Sequence, residues 1–273
     1  MRNSGFKIIA QALTGNKGWK ANWRQPTPKD AYEVIIIGGG GHGLATAYYL
    51  AKEFDTTNVA VLEKGWLGSG NVGRNTTIIR SNYMLPGNEP FYEWSMKLWE
   101  GLEQDLNYNV MVSQRGILNL FHNDPQRDIF IRRGNAMRLA GADAILLDRE
   151  GVQKMCPFFD FDSSRFPIKG GLLQPRGGTV RHDAVAWGYA RKGDELGVDI
   201  LQNCEVTGFI IEDGKCKGVE STRGTIKAKK IAVCVAGSSG HVMAMAGMRL
   251  PIESHVMQAF VSEPPKPVIP GVV

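Results

Sequence analysis

A glycine-rich loop between a strand-like and a helix-like segment constrains the fold of this chain more than any other feature. In "YEVIIIGGGGHGLATAYYLAKEF", residues 32–54, a β-branched run precedes the glycines, as a buried parallel strand requires. Gly38, Gly40 and Gly43 match G-x-G-x-x-G, and good helix formers follow. The pattern predicts a strand, a tight turn, and a helix whose positive amino end can accept a phosphate group.

A second strand with an acidic residue at its end completes the pattern. "NVAVLE" ends at Glu63, twenty residues beyond Gly43, where a carboxylate can accept hydrogen bonds from ribose hydroxyls. Gly38 permits the turn, Gly40 lets a pyrophosphate approach the backbone, and Gly43 allows close packing of helix on strand. Strand, loop, helix, strand and acid in this order predict a dinucleotide-binding unit.

The unit alone leaves NAD and FAD open, and the next segment favours FAD. "KGWLGSGNVGRNTTIIRSNY", residues 64–83, is polar and glycine-bearing and lacks the helix of a plain NAD domain. Such a segment suits the ribityl chain and pyrophosphate of a flavin nucleotide, with Arg74 as a charge partner. A long solvated loop is the alternative.

The rest of the chain predicts a mixed α/β protein. We expect a strand at 115–122, a helix at 127–141, and a strand followed by a short helix that stops at Pro157 over 144–157. We also expect a helix at 185–198 and a hairpin over 199–222 that turns at "EDGK". A buried strand then ends in small residues, which lets the backbone approach a nucleotide. The candidate cofactor-binding residues from these segments are Gly38, Gly40, Gly41, His42, Gly43, Glu63, Lys64, Ser69, Gly70, Arg74, Asn75, Thr76, Ile78 and Gly237.

Composition excludes several other classes. Residues 1–30 hold six basic residues and one acid, and so carry the whole net charge of +5. We expect this arm to dock on an acidic subunit surface rather than to bind nucleic acid, because the remaining chain is neutral. The four cysteines are scattered, which predicts neither metal nor disulfide. Without a long apolar run we expect no membrane span and a cytoplasmic protein.

Several long motifs together resemble one known family. "GGGGHGLATAYYLAKE", "VAVLEKGWLG", "GRNTTIIRSNY" and "GGTVRHDAVAWGYAR" are similar to the beta subunits of heterotetrameric sarcosine oxidases, within the glycine and D-amino-acid oxidase family. The resemblance implies an α/β (α+β) fold in which a Rossmann-like FAD-binding domain is interleaved with a mixed or antiparallel-sheet substrate domain. The implied portions are a basic arm (1–30), FAD-binding portions (31–110 and 181–250), a substrate or interface portion (111–180) and the start of a further substrate segment (251–273).

The same resemblance implies two flavins. FAD would be held without covalent attachment, with Val206 near its adenine, and FMN would be attached covalently through His182. By itself, a histidine before an aspartate is more often a polar residue at a helix start. We expect Asp183 to cap that helix and Arg181 to supply positive potential near the flavin.

The reaction implied is oxidation of sarcosine to glycine, with electrons passing from FAD to FMN and oxygen. The one-carbon unit would go to tetrahydrofolate or leave as formaldehyde, and alpha, gamma and delta subunits would be the partners. Arg80 is a candidate contact for the substrate carboxylate or the flavin.

Three alternatives remain open at this stage. They are another flavin amine dehydrogenase, acting on dimethylglycine or a D-amino acid, a non-catalytic cofactor-binding module, and an NAD-dependent dehydrogenase. Members of the resembled family continue well beyond "HVMQAFVSEPPKPVIPGVV", so we expect a truncated member whose activity alone is uncertain.

Overall fold

The computed structural model describes residues 4–17, 19, 21–83, 87–162, 165–263, 266, 269 and 271–273. The chain divides into two compact units, and each combines separated stretches of sequence. The first unit comprises Met1–Trp66, Ala190–Val235 and Ser239–Leu250, and the second comprises Leu67–Tyr189, Ala236–Ser238 and Pro251–Val273.

Helices and strands alternate along most of the chain. The helices are α1 (Gly5–Leu13), α2 (Gly41–Phe54), α3 (Glu89–Leu106), α4 (Asp124–Leu139), α5 (Arg149–Met155), α6 (His182–Glu195) and α7 (Ser239–Ala244). The strands are β1 (Ala31–Ile37), β2 (Val59–Leu62), β3 (Ile78–Ile79), β4 (Ile117–Phe121), β5 (Ile145–Asp148), β6 (Gly170–Gln174), β7 (Gly178–Thr179), β8 (Asp199–Leu201), β9 (Val206–Glu212), β10 (Lys215–Ser221) and β11 (Gly224–Val233).

The first unit is built on a six-stranded sheet in the order β8-β2-β1-β11-β10-β9. The strands β8, β2, β1 and β11 are parallel, and the β9–β10–β11 meander is antiparallel. Parallel strands are buried on both faces, and β2 is accordingly buried along its whole length. The predicted mixed α/β class is therefore confirmed, and β11 lies beside β1 in the same sheet.

The second unit contains the three-stranded antiparallel sheet β4-β6-β5 and the small ribbon β3-β7. Leu172 of β6 packs in a cluster with Met137 of α4, whereas its neighbour Leu173 packs in the cluster that contains Val152 of α5. Since successive side chains of a strand point to opposite faces, α4 and α5 cover opposite faces of this sheet.

Several elements differ from the sequence prediction. Helices α4 and α6 begin at Asp124 and His182, each three residues before the predicted start. Strand β8 pairs parallel with β2 and is not part of the predicted hairpin, which β9 and β10 form. Helix α3 was not predicted, although Asn88 followed by Pro90 is a recognisable helix start.

Part of the basic arm is used within the chain. Arg24 pairs with Asp194 and with Asp199, and Lys29 pairs with Asp199, whose side chain is 2% exposed. These two charges therefore hold residues 24–29 on the first unit, and the docking of the arm on a subunit surface stays a prediction. Arg2 and Lys20 lie outside the described residues.

In the described part of the chain, no helix combines the length and the apolar character needed to cross a membrane.

Candidate functional site

The glycines of the predicted loop are needed for close backbone contacts. Gly38 has φ +108°, and a Cβ there would overlap the carbonyl oxygen of Cys234 at the end of β11. A Cβ at Gly43 would overlap the carbonyl oxygen of Gly38. The turn therefore lies tightly between β1, β11 and α2, as the sequence pattern predicted.

Gly40 differs from these two glycines because its surroundings are open. It is the N-cap of α2, and a Cβ added there meets no atom within 4 Å. The first backbone N–H groups of a helix have no intrahelical acceptor, and no acidic residue lies in the first turn of α2. Open space before a positive helix end fits a pyrophosphate group.

Two backbone N–H groups hold the Glu63 carboxylate beside this loop. Its Oε2 accepts from the N–H of Gly39 at 2.9 Å, and its Oε1 accepts from the N–H of Gly65 at 2.9 Å. A carboxylate oxygen can accept more than one hydrogen bond, so both oxygens retain capacity for ribose hydroxyls. The loop and the acid together fit the adenosine and pyrophosphate part of a dinucleotide.

The polar segment after β2 is irregular and belongs, from residue 67 onward, to the second unit. It contains a single 3₁₀ turn at Asn71–Gly73 and then enters β3. The Asn75 amide donates to the carbonyls of Asn71 and Val72, and its oxygen accepts from the N–H of Thr77. Arg74 is exposed. The segment lacks a helix, as predicted.

The remaining predicted cofactor contacts lie in several elements. His42 and Gly41 are in the first turn of α2, and Lys64 is exposed after β2. Val206 begins β9 and is buried in the core of the first unit. Gly237 lies in a 3₁₀ turn of the second unit, where its carbonyl accepts from Ser254.

His182 lies at the start of α6, in the second unit. Its Nδ1 is buried and has no hydrogen-bond partner among the described residues. Pairing of β3 with β7 places Ile78 opposite Thr179, so the polar segment and the loop before His182 are neighbours. A ring nitrogen that is not used in the protein's own hydrogen bonding fits attachment of a further group.

The charges beside His182 are paired with each other. Arg181 Nε and Nη2 donate to the Asp183 carboxylate at 2.6 and 2.9 Å. This hydrogen bonding by Arg181 lowers the pKa of the Asp183 carboxyl. Asp183 also accepts from the N–H of Ala184. Asp183 lies in the first turn of α6 rather than at its cap, because the helix already begins at His182. The effect of Arg181 on a bound flavin stays a prediction.

Arg80 follows β3 at the edge of a buried polar network. Ser81 and Asn82 are 1% and 2% exposed. The Ser81 N–H donates a hydrogen bond to Gln174 Oε1 at 3.3 Å. The Ser81 hydroxyl donates to Glu93 Oε1 and accepts from Gln174 Nε2. Gln174 and Glu93 were not predicted as site residues.

Arg176 and its carboxylates extend this network. Arg176 pairs with Glu93 at 2.9 Å and with Glu100 at 2.8 Å. Hydrogen bonding to Glu100 raises the pKa of the Arg176 guanidinium, and the same bond lowers the pKa of the Glu100 carboxyl. The arrangement stabilises the backbone next to Arg80.

Fold and loop define a class: an α/β oxidoreductase with a dinucleotide cradle. The family model "FAD dependent oxidoreductase" (DAO) matches residues 33–272, and the chain belongs to this family. The NAD-dependent alternative is thereby excluded, and the expected relation to sarcosine oxidase beta subunits is confirmed by the following similarities.

The chain is 70% identical, over its full length, to "Sarcosine oxidase subunit beta" of Rhizobium meliloti (strain 1021) and covers 66% of that protein. It is 54% identical over 92% of its length to the protein of the same name from Arthrobacter sp and covers 62% of it. A solved structure, L-proline dehydrogenase from P. horikoshii, matches with a TM-score of 0.74 and 27% identity, covering 81% of this chain and 57% of that one. The chain thus spans slightly less than two thirds of these curated relatives.

Proposed function

We propose that this chain binds FAD and takes part in the oxidation of sarcosine, a secondary amine with a carboxylate, to glycine. The observation that carries the proposal is the cradle of Gly38, Gly40 and Gly43 with the pre-oriented Glu63. The substrate class is supported by the names of two similar proteins, a sarcosine oxidase subunit and an L-proline dehydrogenase, since both amino acids are secondary amines.

The proposed residues contact different parts of the cofactor and the substrate. The open amino end of α2 at Gly40 would bind the pyrophosphate, and Glu63 would orient the ribose. The remaining predicted contacts would line the cofactor: Gly41, His42, Lys64, Ser69, Gly70, Arg74, Asn75, Thr76, Ile78, Val206 and Gly237. Arg80 would bind the substrate carboxylate. FAD, when bound, supplies a ring that accepts a hydride equivalent from the carbon next to the amine nitrogen.

The finer parts of the proposal concern a second flavin and the assembly. We assign covalent FMN to His182. A complex with alpha, gamma and delta subunits in the cytoplasm would deliver the electrons to oxygen. The same complex would transfer the one-carbon unit to tetrahydrofolate or release it as formaldehyde. The portions 31–110 and 181–250 would form the FAD-binding part, with 111–180 and 251–273 serving substrate and interface.

An anaerobic flavin-reduction experiment tests the amine chemistry. Purified chain loaded with FAD should lose its visible flavin absorbance on addition of sarcosine, and Gly40→Ala, which adds a Cβ in the cradle's open space, should retain less FAD. Loss of absorbance with L-proline or dimethylglycine but not with sarcosine would contradict the assigned substrate.

Covalent attachment has its own test. Protein co-expressed with an alpha-type partner and denatured in acid should keep one FMN by intact mass, and His182→Ala should keep none. His122→Ala, which changes a histidine bonded to the carbonyls of Phe166 and Pro167, is the matched control. An adduct that persists in His182→Ala would contradict the assignment.

A further inference from the structure

Charge is concentrated on two neighbouring strands, although residues 31–273 as a whole are neutral. Residues 215–230, which comprise β10 and most of β11, hold six basic residues and one acid. Five of the basic residues are exposed lysines, namely Lys215, Lys217, Lys227, Lys229 and Lys230. None of the five pairs with a carboxylate in the described part of the chain. The chain therefore leaves this positive charge without a negative partner.

Two of these lysines lie on the outer face of β11. Ile226 and Ala228 are 1% and 8% exposed and belong to the core of the first unit. Because successive side chains of a strand point to opposite faces, Lys227 and Lys229 point outward. Strand β11 pairs with β1 on one side and with β10 on the other. Both lysines therefore stand in the middle of a sheet face and not at its edge.

An open cavity lies on this outer face of the first unit. It has a volume of about 340 Å³, and three lysines line it, Lys217, Lys227 and Lys229. Glu33 of β1 and Asn58, which precedes β2, complete the polar part of its lining. Like charges on neighbouring positions repel one another, and an anion between them relieves that repulsion. The cavity is therefore suited to a ligand of negative charge.

The arrangement of charges favours an extended acidic peptide over a phosphate compound. Residues two apart on a strand are about 6.6 Å apart, and carboxylates on alternate residues of an extended peptide repeat at the same distance. The carboxylate of Glu33 lies among the lysines and repels a densely charged anion such as a polyphosphate. The same carboxylate can accept a hydrogen bond from a peptide N–H.

We propose that the outer face of β10 and β11, with Lys217, Lys227 and Lys229, binds an extended acidic segment of a partner chain. The cavity adjoins the start of β1, whereas the glycine cradle follows the end of this strand, about 15 to 20 Å further along. A peptide bound here leaves the cradle open. The proposal therefore does not depend on the proposed oxidation of an amine.

Fluorescence anisotropy with a labelled hexaglutamate peptide tests this surface in the purified chain. We expect hexaglutamate to bind and hexaglutamine not to bind. The affinity should fall as NaCl rises from about 50 to about 200 mM, because salt screens exposed charges. The double variant Lys227→Gln with Lys229→Gln should bind at least about fivefold more weakly, since it removes two charge contacts. The double variant Lys7→Gln with Lys17→Gln is the matched control, because it removes the same charge from exposed positions of the basic arm, and it should bind normally.

Four results would overturn the proposal. They are no binding of hexaglutamate by the unmodified chain, equal affinity in the two double variants, loss of binding in the arm variant alone, and tighter binding of tripolyphosphate through the same lysines. The third result would place the acidic ligand on the arm, and the fourth would make the ligand a phosphate compound. Both double variants replace exposed side chains, so the fold is retained. None of the measurements involves the flavin, so the surface and the proposed oxidation are tested separately.

Discussion

The candidate sites of the two compact units differ in how far apart their residues lie along the sequence. In the first unit the cradle residues come from one continuous stretch, residues 31–65, which contacts the end of β11 and the turn after β8. In the second unit the Arg80 segment depends on Glu93, Asn119, Arg133 and Gln174, which lie on four other elements or turns. A local motif needs few partners to form, whereas a network assembled from distant residues fails when any one partner is lost.

Breaking the cradle should have the largest effect. Gly38→Ala adds a Cβ against the carbonyl of Cys234 at a backbone position with φ +108°, so the backbone must shift. We expect the free energy of unfolding to fall by at least about 3 kcal/mol and FAD to be lost. Urea unfolding and flavin absorbance measure both.

Gly40→Ala is the control in the same loop. Its Cβ meets no protein atom, so the apoprotein should unfold within about 0.5 kcal/mol of the unmodified chain while binding less FAD. If the Gly40→Ala apoprotein were as unstable as the Gly38→Ala protein, the added Cβ would have to clash with protein atoms, and the space before α2 would not be open.

Breaking the buried hydrogen-bond network of the second unit should have the next largest effect. Gln174→Leu removes both bonds to Ser81 and leaves a buried N–H unpaired, which should lower the free energy of unfolding by about 2 to 3 kcal/mol. Gln114→Leu is the matched control, because Gln114 is exposed and bonds only to Glu100 and the Arg176 carbonyl. Equal losses of unfolding free energy in the two variants would mean that the burial of Gln174 does not add to the cost of removing its hydrogen bonds.

A pH titration examines the first unit away from the cradle. Burial, together with the charge and hydrogen bonding of Asp199, raises the pKa of Tyr32 from 10.0 to about 12. A raised pKa means that the folded state holds the proton more tightly, so this stability is complete below pH 10 and is lost as the pH rises to about 12.

The expected loss is about 2 kcal/mol over that interval, measured as the difference in unfolding free energy between the unmodified chain and Tyr32→Phe at each pH. Parallel pH profiles of the two proteins would refute the raised pKa.

The smallest effect belongs to surface charges. Lys154 pairs with Glu150 at 2.9 Å, but the two side chains are 75% and 73% exposed. Lys154→Met should change the free energy of unfolding by less than about 0.5 kcal/mol, because solvent screens the pair. A larger loss in thermal or urea unfolding would show that α5 depends on this pair.

Prediction from sequence succeeded where the determinants are local. The strand, loop and helix at residues 31–54 follow from β-branched residues, glycines and helix formers, and the predicted hairpin turns at Asp213 and Gly214, both with positive φ. It could not give the partners that charges find through the fold: Arg24 pairs with Asp194, 170 residues further along the chain, and with the buried Asp199.

By itself, the sequence determined the α/β class, the dinucleotide cradle and the family relation, because glycine spacing, strand composition and the position of Glu63 act over short distances along the chain. Only the tertiary structure decided which polar groups are buried and which charges meet. Arg133 reaches Asn82 across 51 residues and Gln174 reaches Ser81 across 93. The physical reason is that burial and Coulomb interactions depend on distance in space, and helical or strand periodicity carries no record of that distance.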